Sequence, residues 1–271
     1  MDFSTETVKP VVPAAPYLGG KRNLARRLCS IIDATPHVAY AEPFVGMGGV
    51  FLRRSKRPKC EVINDISEDV TTFFRILQRH YVAFMDMLRF QLTTRAGFER
   101  LMRTDPSTLT DLERAARFLY LQRTAFGGKV VGRNYGMVMD GPARFDVTRL
   151  GPVLEDLHER LAPVQIERLP YATFIEKYDR PGTLFYLDPP YWGCEQDYGD
   201  QFGRDDFEQL AEQLARIRGR FILSINDTPG AREVFSRFEL EETQTTYGIC
   251  TKVTGAGKRV GELIIRGPDK F

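Results

Sequence analysis

Cysteine and histidine are scarce in this chain of 271 residues, with 4 and 3 respectively. Cys29, Cys60, Cys194 and Cys250 form no CxxC pair, and the histidines are equally scattered. No zinc site is suggested, and a reduced, cytoplasmic compartment is the expectation. Long apolar runs are missing, as is a basic-then-apolar N-terminus, so neither a membrane span nor a secretion signal is expected. The GxxxxGK[ST] spacing is absent at Gly20-Lys21, Gly128-Lys129 and Gly257-Lys258, which excludes a P-loop. There is no internal repeat and no low-complexity tract. Nor is there an overall excess of one charge sign, the formal net charge being +2. That balance conceals an asymmetry: residues 71–150 carry 13 Lys/Arg and 7 Asp/Glu, a net of +6, leaving −4 elsewhere. A basic segment in an acidic frame is the footprint expected of a nucleic-acid contact, with a solvated helical surface as the plainer reading. The length suits one large domain or a core carrying a smaller lobe.

What is present is organised around Thr183-Leu184-Phe185-Tyr186-Leu187-Asp188-Pro189-Pro190-Tyr191. Its first five residues read as a buried parallel strand. The strand must end at Asp188, because two successive prolines cannot donate ladder hydrogen bonds. Pro189 also holds Asp188 extended, so the carboxylate projects from the carboxyl edge of the sheet, where ligands bind in open α/β folds. Asp188, the carbonyl of Pro189 and the ring of Tyr191 then surround one point. Two acceptors and a flat ring suit a planar group that bears an exocyclic amine. The plainer alternative is a Pro-rich turn with a solvated acid.

Upstream, Val38 to Glu42 reads as a short strand, followed by the turn Pro43-Phe44-Val45-Gly46-Met47-Gly48-Gly49 and a helix starting near Val50. A glycine turn at that place lets a ligand approach the backbone closely. A second strand, Cys60 to Asn64, runs into Asp65, an acid at the separation that grips the ribose hydroxyls of a nucleoside. Before these, Gly19 and Gly20 precede a helical run through Leu24, Leu28, Ile31 and Ile32.

Four blocks carry a family resemblance. Tyr17-Leu18-Gly19-Gly20-Lys21, Glu42-Pro43-Phe44-Val45-Gly46-Met47-Gly48, Asn64-Asp65-Ile66 and Asp188-Pro189-Pro190-Tyr191 occur in this order. The chain resembles the Dam-type DNA adenine-N6 methyltransferases over nearly its whole length except the leader. The resemblance implies S-adenosylmethionine as cofactor, with Tyr17, Gly19, Gly20, Lys21, Glu42, Pro43, Phe44, Gly46, Gly48, Asp65, Ile66 and Asp188 lining its pocket. It makes Asp188, Pro189, Pro190 and Tyr191 catalytic. It also places a DNA-reading hairpin after Phe126, so Arg123, Lys129, Arg133, Asn134 and Tyr135 are the candidate DNA contacts. The family's usual Phe-Asn-Gly and Phe-Asn-Val-Pro elements are replaced here by Phe126-Gly127-Gly128 and Met137-Val138-Met139-Asp140, so no recognition sequence is carried over. Where relatives often hold an Asp near the cofactor's adenine, Thr173 stands.

The rest of the chain agrees with an α/β architecture. The fold expected is a Rossmann-like methyltransferase sheet, mostly parallel with a C-terminal antiparallel hairpin, plus an inserted, mainly helical DNA-recognition lobe. Residues 1–67 and 165–271 form the catalytic domain and residues 68–164 the lobe. Residues 1–16, with three prolines, read as a leader that crosses the surface or frays. Helices are expected through 68–126, over 147–161, after Asp205 as N-cap, and over 229–238; strands over 164–167, 220–226, 239–249 and 261–266. Residues 193–204 read as a loop beside the site. Transfer to N6 of adenine in double-stranded DNA is the function implied, without a metal or a membrane, by a monomer or weak dimer. The alternatives are cytosine N4, an RNA base or a protein amide as acceptor, or a non-catalytic DNA-binding module.

Overall fold

The computed structural model describes residues 2–137, 141–195, 202–247 and 258–267. Nine strands and eight α-helices are assigned among them. Seven strands form one sheet in the order β5-β4-β2-β6-β7-β9-β8, where β2 is Ala39–Glu42, β4 Cys60–Asn64, β5 Gln165–Glu167, β6 Thr183–Leu187, β7 Arg220–Asn226, β8 Glu239–Tyr247 and β9 Lys258–Arg266. The first five in that order pair in parallel, and β9 runs antiparallel to both β7 and β8. This is the mixed, mostly parallel α/β sheet with a C-terminal hairpin that the sequence implies. All five residues of β6 are buried, as a central strand covered on both faces requires.

Alternate side chains feed two cores, one on each face of the sheet. Tyr40, Ile63, Leu184, Tyr186, Ile222 and Ile264 point to one; Ala41, Val62, Phe185, Leu187, Leu223 and Ile265 point to the other. The second face is covered by α6 (Tyr171–Tyr178), α7 (Arg204–Arg216) and α8 (Pro229–Val234). The first is covered by α1 (Ala25–Ala34), α2 (Glu68–Leu88), α4 (Asp111–Thr124) and α5 (Val147–Leu161), with α3 (Arg95–Arg103) packed through Phe98. Phe73, Phe118 and Leu154 thus belong to the same core as Tyr40 and Leu184. α2 bends at His80, whose φ of −129° and ψ of 33° leave the helical region.

Three local expectations need correction. The leader does not fray: β1 (Glu6–Thr7) pairs with β3 (Lys56–Arg57), and Val11, Ala14 and Ala15 are buried. Its apolar residues are too few to show a period, yet they fill the gap over Leu52, whose carbonyl accepts from Val11 N–H at 2.8 Å. The turn after Gly48 opens a single 3₁₀ turn at Phe51–Arg53, not an α-helix, since the chain must pair with the leader at β3 and re-enter the main sheet at β4 within a few residues. Asp205 lies inside the first turn of α7. The N-cap is Gly203, and its N–H donates to Asp206 at 2.8 Å.

Candidate active site

The carboxyl ends of β2, β4 and β6 open into one cavity of about 1750 Å³. At its floor, the turn after β2 is shaped by Gly46 (φ 50°) and Gly48 (φ 74°), a backbone region costly for other residues. A Cβ at Gly46 would stand 3.1 Å from the ring of Tyr17, which packs on the turn. Asp65, at the end of β4, clamps the turn by accepting from Gly46 N–H at 2.9 Å, and it accepts from Ser67 N–H at 2.9 Å. Burial pushes its carboxyl up to about 6 against those two bonds. Neighbouring Asn64 bolts three segments together, donating to the carbonyls of Pro43 and Leu169 and accepting from Leu169 N–H.

At the end of β6, Asp188 meets Lys21 at 2.9 Å. The same ammonium reaches Glu262 on β9 at 2.5 Å and the Tyr191 hydroxyl at 2.7 Å. Tyr191 in turn lies 3.1 Å from both oxygens of Glu262. Burial raises the Asp188 carboxyl to about 6, with Lys21 holding it down and Glu262 pushing it up; Ser224 adds a hydrogen bond. Ser224 also lies 2.8 Å from the Tyr186 hydroxyl. Behind the motif, Asn226 accepts from Trp192 N–H at 2.8 Å and donates to the Trp192 carbonyl at 3.0 Å, fixing the chain after the two prolines.

One cavity therefore brings together Tyr17, Gly19, Gly20, Lys21, Glu42, Pro43, Phe44, Gly46, Asp65, Ile66, Asp188, Pro189 and Pro190. Gly48 supports the turn from beneath, and Tyr191 adjoins the site through Lys21 and Glu262. Tyr40 donates to Glu42 at 2.5 Å, and burial pushes its carboxyl up to about 8, which favours the protonated form. Thr173 is exposed on α6 and does not line the cavity, whereas Tyr171 does. With Phe44 and Phe202, Tyr171 forms an aromatic trio with ring separations of 5.6 to 5.8 Å.

The candidate DNA contacts divide into two kinds. Lys129 and Asn134 are exposed. Arg123 donates to the carbonyls of Arg144 and Ala14, and Arg133 to Lys129 and Gln122. Tyr135 rests against Phe98 and Arg95. The loop carrying them is closed by an Ala125–Tyr135 bridge and tied to the floor: Leu18 N–H donates to Gly128, and buried Gln122 donates to both Pro16 and Gly128. Met137 follows the loop, while Val138, Met139 and Asp140 lie outside the described residues.

Residues 17–249 match the family described as D12 class N6 adenine-specific DNA methyltransferases. The chain belongs to this family. Type II methyltransferase M.CviBI of Paramecium bursaria Chlorella virus NC1A is 22% identical over 243 residues, covering 89% of this chain and 91% of that protein. Type II methyltransferase M1.LlaDCHI of Lactococcus lactis subsp. cremoris is 25% identical, covering 93% and 94%. The DNA N-6-adenine-methyltransferase of Escherichia phage P1 is 28% identical over 217 residues, 74% of this chain and 28% of that one. The choice that the residues left open is thereby made: this methyltransferase acts on adenine in DNA, with S-adenosylmethionine as its cofactor. The cavity fits that cofactor, with its left-handed glycine turn beside a buried acid and an aromatic trio at the same edge. Among the described residues there is no group of three metal-ligating side chains, and no helix is long and apolar enough to cross a membrane.

Four residues of this methyltransferase's site escape a reading of motifs: Glu262, Ser224, Asn226 and Phe202. Glu262 and Ser224 had a signal, a polar side chain inside an otherwise apolar strand. Phe202 had none.

Proposed function

We propose that Asp188, Pro189, Pro190 and Tyr191 form the catalytic edge of this adenine methyltransferase, and that the floor from Tyr17 to Asp65 holds the cofactor. The supporting observation is that a single cavity is lined both by Asp188-Pro189-Pro190 and by the Gly46–Asp65 clamp. S-adenosylmethionine, when bound, supplies an electrophilic methyl group on a cationic sulfur. Phe44, Tyr171 and Phe202 would flank its adenine, and Asp65 would accept from its ribose hydroxyls, since each carboxylate oxygen can take a further donor.

The exocyclic amine of adenine is a poor nucleophile because its lone pair is delocalised into the ring. Asp188 accepts one amine hydrogen and the Pro189 carbonyl the other, which favours a pyramidal nitrogen and restores the lone pair. The same two acceptors stabilise the positive charge that grows on nitrogen as the new bond forms. The proton can leave after attack. Tyr191 stacks on the base, which must leave the duplex at a cost of a few kcal/mol.

We place the DNA in double-stranded form against residues 68–164, the recognition lobe, with Lys129, Arg133, Asn134 and Tyr135 nearest and Arg123 bracing them from behind. The enzyme works as a monomer or weak dimer in the cytoplasm, the compartment expected for a chain with scattered cysteines and no CxxC pair. Asp188→Ala tests the central assignment. It should abolish 6-methyladenine in nucleosides from treated DNA while S-adenosylmethionine affinity, by calorimetry, stays within about threefold. Full activity in that variant would overturn the mechanism, and 4-methylcytosine from the native enzyme would overturn the substrate.

A further inference from the structure

We infer that Glu262 is a positioning residue of the methyl-transfer site: through Lys21 and Tyr191 it keeps the site formally anionic and holds the stacking ring in place. The inference rests on the assignment of Asp188 as amine acceptor. It begins from an anomaly of the sheet. Glu262 sits in β9 with no solvent exposure, among Leu263, Ile264 and Ile265, which are equally buried. A carboxylate there is expensive unless it is paired.

Register explains how it reaches the site. β9 runs antiparallel to β7, and Glu262 stands opposite Asn226, the last residue of β7. That is the edge where β6 delivers Asp188 and where Asn226 fixes the chain beyond Tyr191. Lys21 arrives from the turn before α1 and stands 4.3 Å from the Tyr191 ring centroid. Glu262 therefore reaches the catalytic edge through two intermediaries, an ammonium and a phenol hydroxyl.

The charges give this arrangement a purpose. Asp188 faces Lys21, Glu262, Ser224, Tyr186, Glu42 and, across Lys21, Tyr191. Burial biases Glu42 towards its protonated form. One ammonium between two carboxylates leaves a formal charge of −1, matched to a reaction whose positive charge moves from sulfur to nitrogen. Without Glu262, Lys21 would lose one of its two carboxylate partners and bear more fully on Asp188. The pair would be neutral, and Asp188 would become a weaker acceptor. Tyr191 would also lose a partner that meets its hydroxyl symmetrically.

The test is Glu262→Gln in the full chain, read as kcat and KM for DNA methylation across the acid range. The native enzyme should lose activity as pH falls through about 6, where Asp188 takes up a proton. In Glu262→Gln the plateau should drop roughly ten- to a hundredfold. The acid limb should move to lower pH by about one pH unit, because a like charge has gone. Cofactor affinity should hold, and Glu262→Asp should keep the native limb. A plateau loss with an unmoved limb would mean a merely structural role and overturn the inference. If Asp188→Ala keeps activity or the native enzyme shows no acid limb, it is the Asp188 assignment that fails. Should Glu262→Gln not fold, Tyr191→Phe carries the test: it keeps the ring but removes the bridge, so kcat should fall severalfold, and an unchanged kcat would overturn the proposal.

Discussion

Arg54, Glu61 and Arg160 form a buried ion cluster of three charges, as do Lys21, Asp188 and Glu262, and the two have inverse compositions. In the first, one carboxylate serves two cations. Glu61 accepts from Arg54 at 2.7 Å and from Arg160 at 2.6 and 2.8 Å, and the guanidiniums lie over Tyr40 and Phe51. Its side chains are 0%, 1% and 3% exposed, and none lines the cavity. In the second, one cation serves two carboxylates, and the Asp188 side chain is 22% exposed, open to the cavity. The first cluster is closed to the cavity: bidentate geometry and ring stacking hold its charges in place, and its work is to join segments. The second keeps a carboxylate at the cavity wall, where a reacting group can use it. Burial of charge is thus common to structure and chemistry here. Access to the cavity divides them.

That division can be broken at either cluster. Glu61→Ala strands two buried guanidiniums and should cost about 3–5 kcal/mol in urea unfolding, with kcat per folded molecule unchanged. A fall in kcat without a loss of stability would erase the distinction. Lys21→Met leaves two carboxylates without their shared cation. It should lower kcat about a hundredfold, or about 2.7 kcal/mol, and move the acid limb above its native position near 6, because burial already raises Asp188 and Lys21 opposes it. A limb displaced downwards would contradict the sign. At the small end, Arg75 and Asp111 pair on the surface with side chains 55% and 59% exposed. Arg75→Ala should change stability by less than about 0.5 kcal/mol; a larger loss would show that burial is not what gives the other two clusters their weight.

Strands β6 and β7 and helix α5 were legible residue for residue, because each is a run whose apolar content and flanking breakers agree. Asp188, Gly46 and Asp65, whose spacing along the chain is set by local strand–turn geometry, come together at one cavity. Glu262 was not legible as part of the site. Its place depends on the pairing of β9 with β7, a long-range register that no local pattern encodes. Lys21 was placed with the cofactor, and its bonds to Asp188, Tyr191 and Glu262 come from segments 167 to 241 residues away. The inward packing of the leader was hidden for a similar reason: Val11, Ala14 and Ala15 are spaced by prolines, and only the partner surface reveals them as core. Arg123 shows the converse: its charge suggests an outside partner, and while it lines the cavity it also donates to backbone carbonyls inside the fold.

Phe73, Phe118 and Leu154 share a core with Tyr40 and Leu184, and on the proposed assignment of residues 68–164 to target recognition this limits how a new specificity can be acquired. Exchanging residues 68–164 wholesale for a relative's would bring foreign side chains into the centre of the parent enzyme, so such chimeras should misfold more often than they switch target. The loop from Phe126 to Asn134 is different. Phe126 N–H donates to Asn134 and Gly136 N–H to Thr124, both at 2.8 Å, closing the loop at its stem. On the same assignment it is the natural cassette for grafting, with buried Gln122 as a socket that any replacement must still fit.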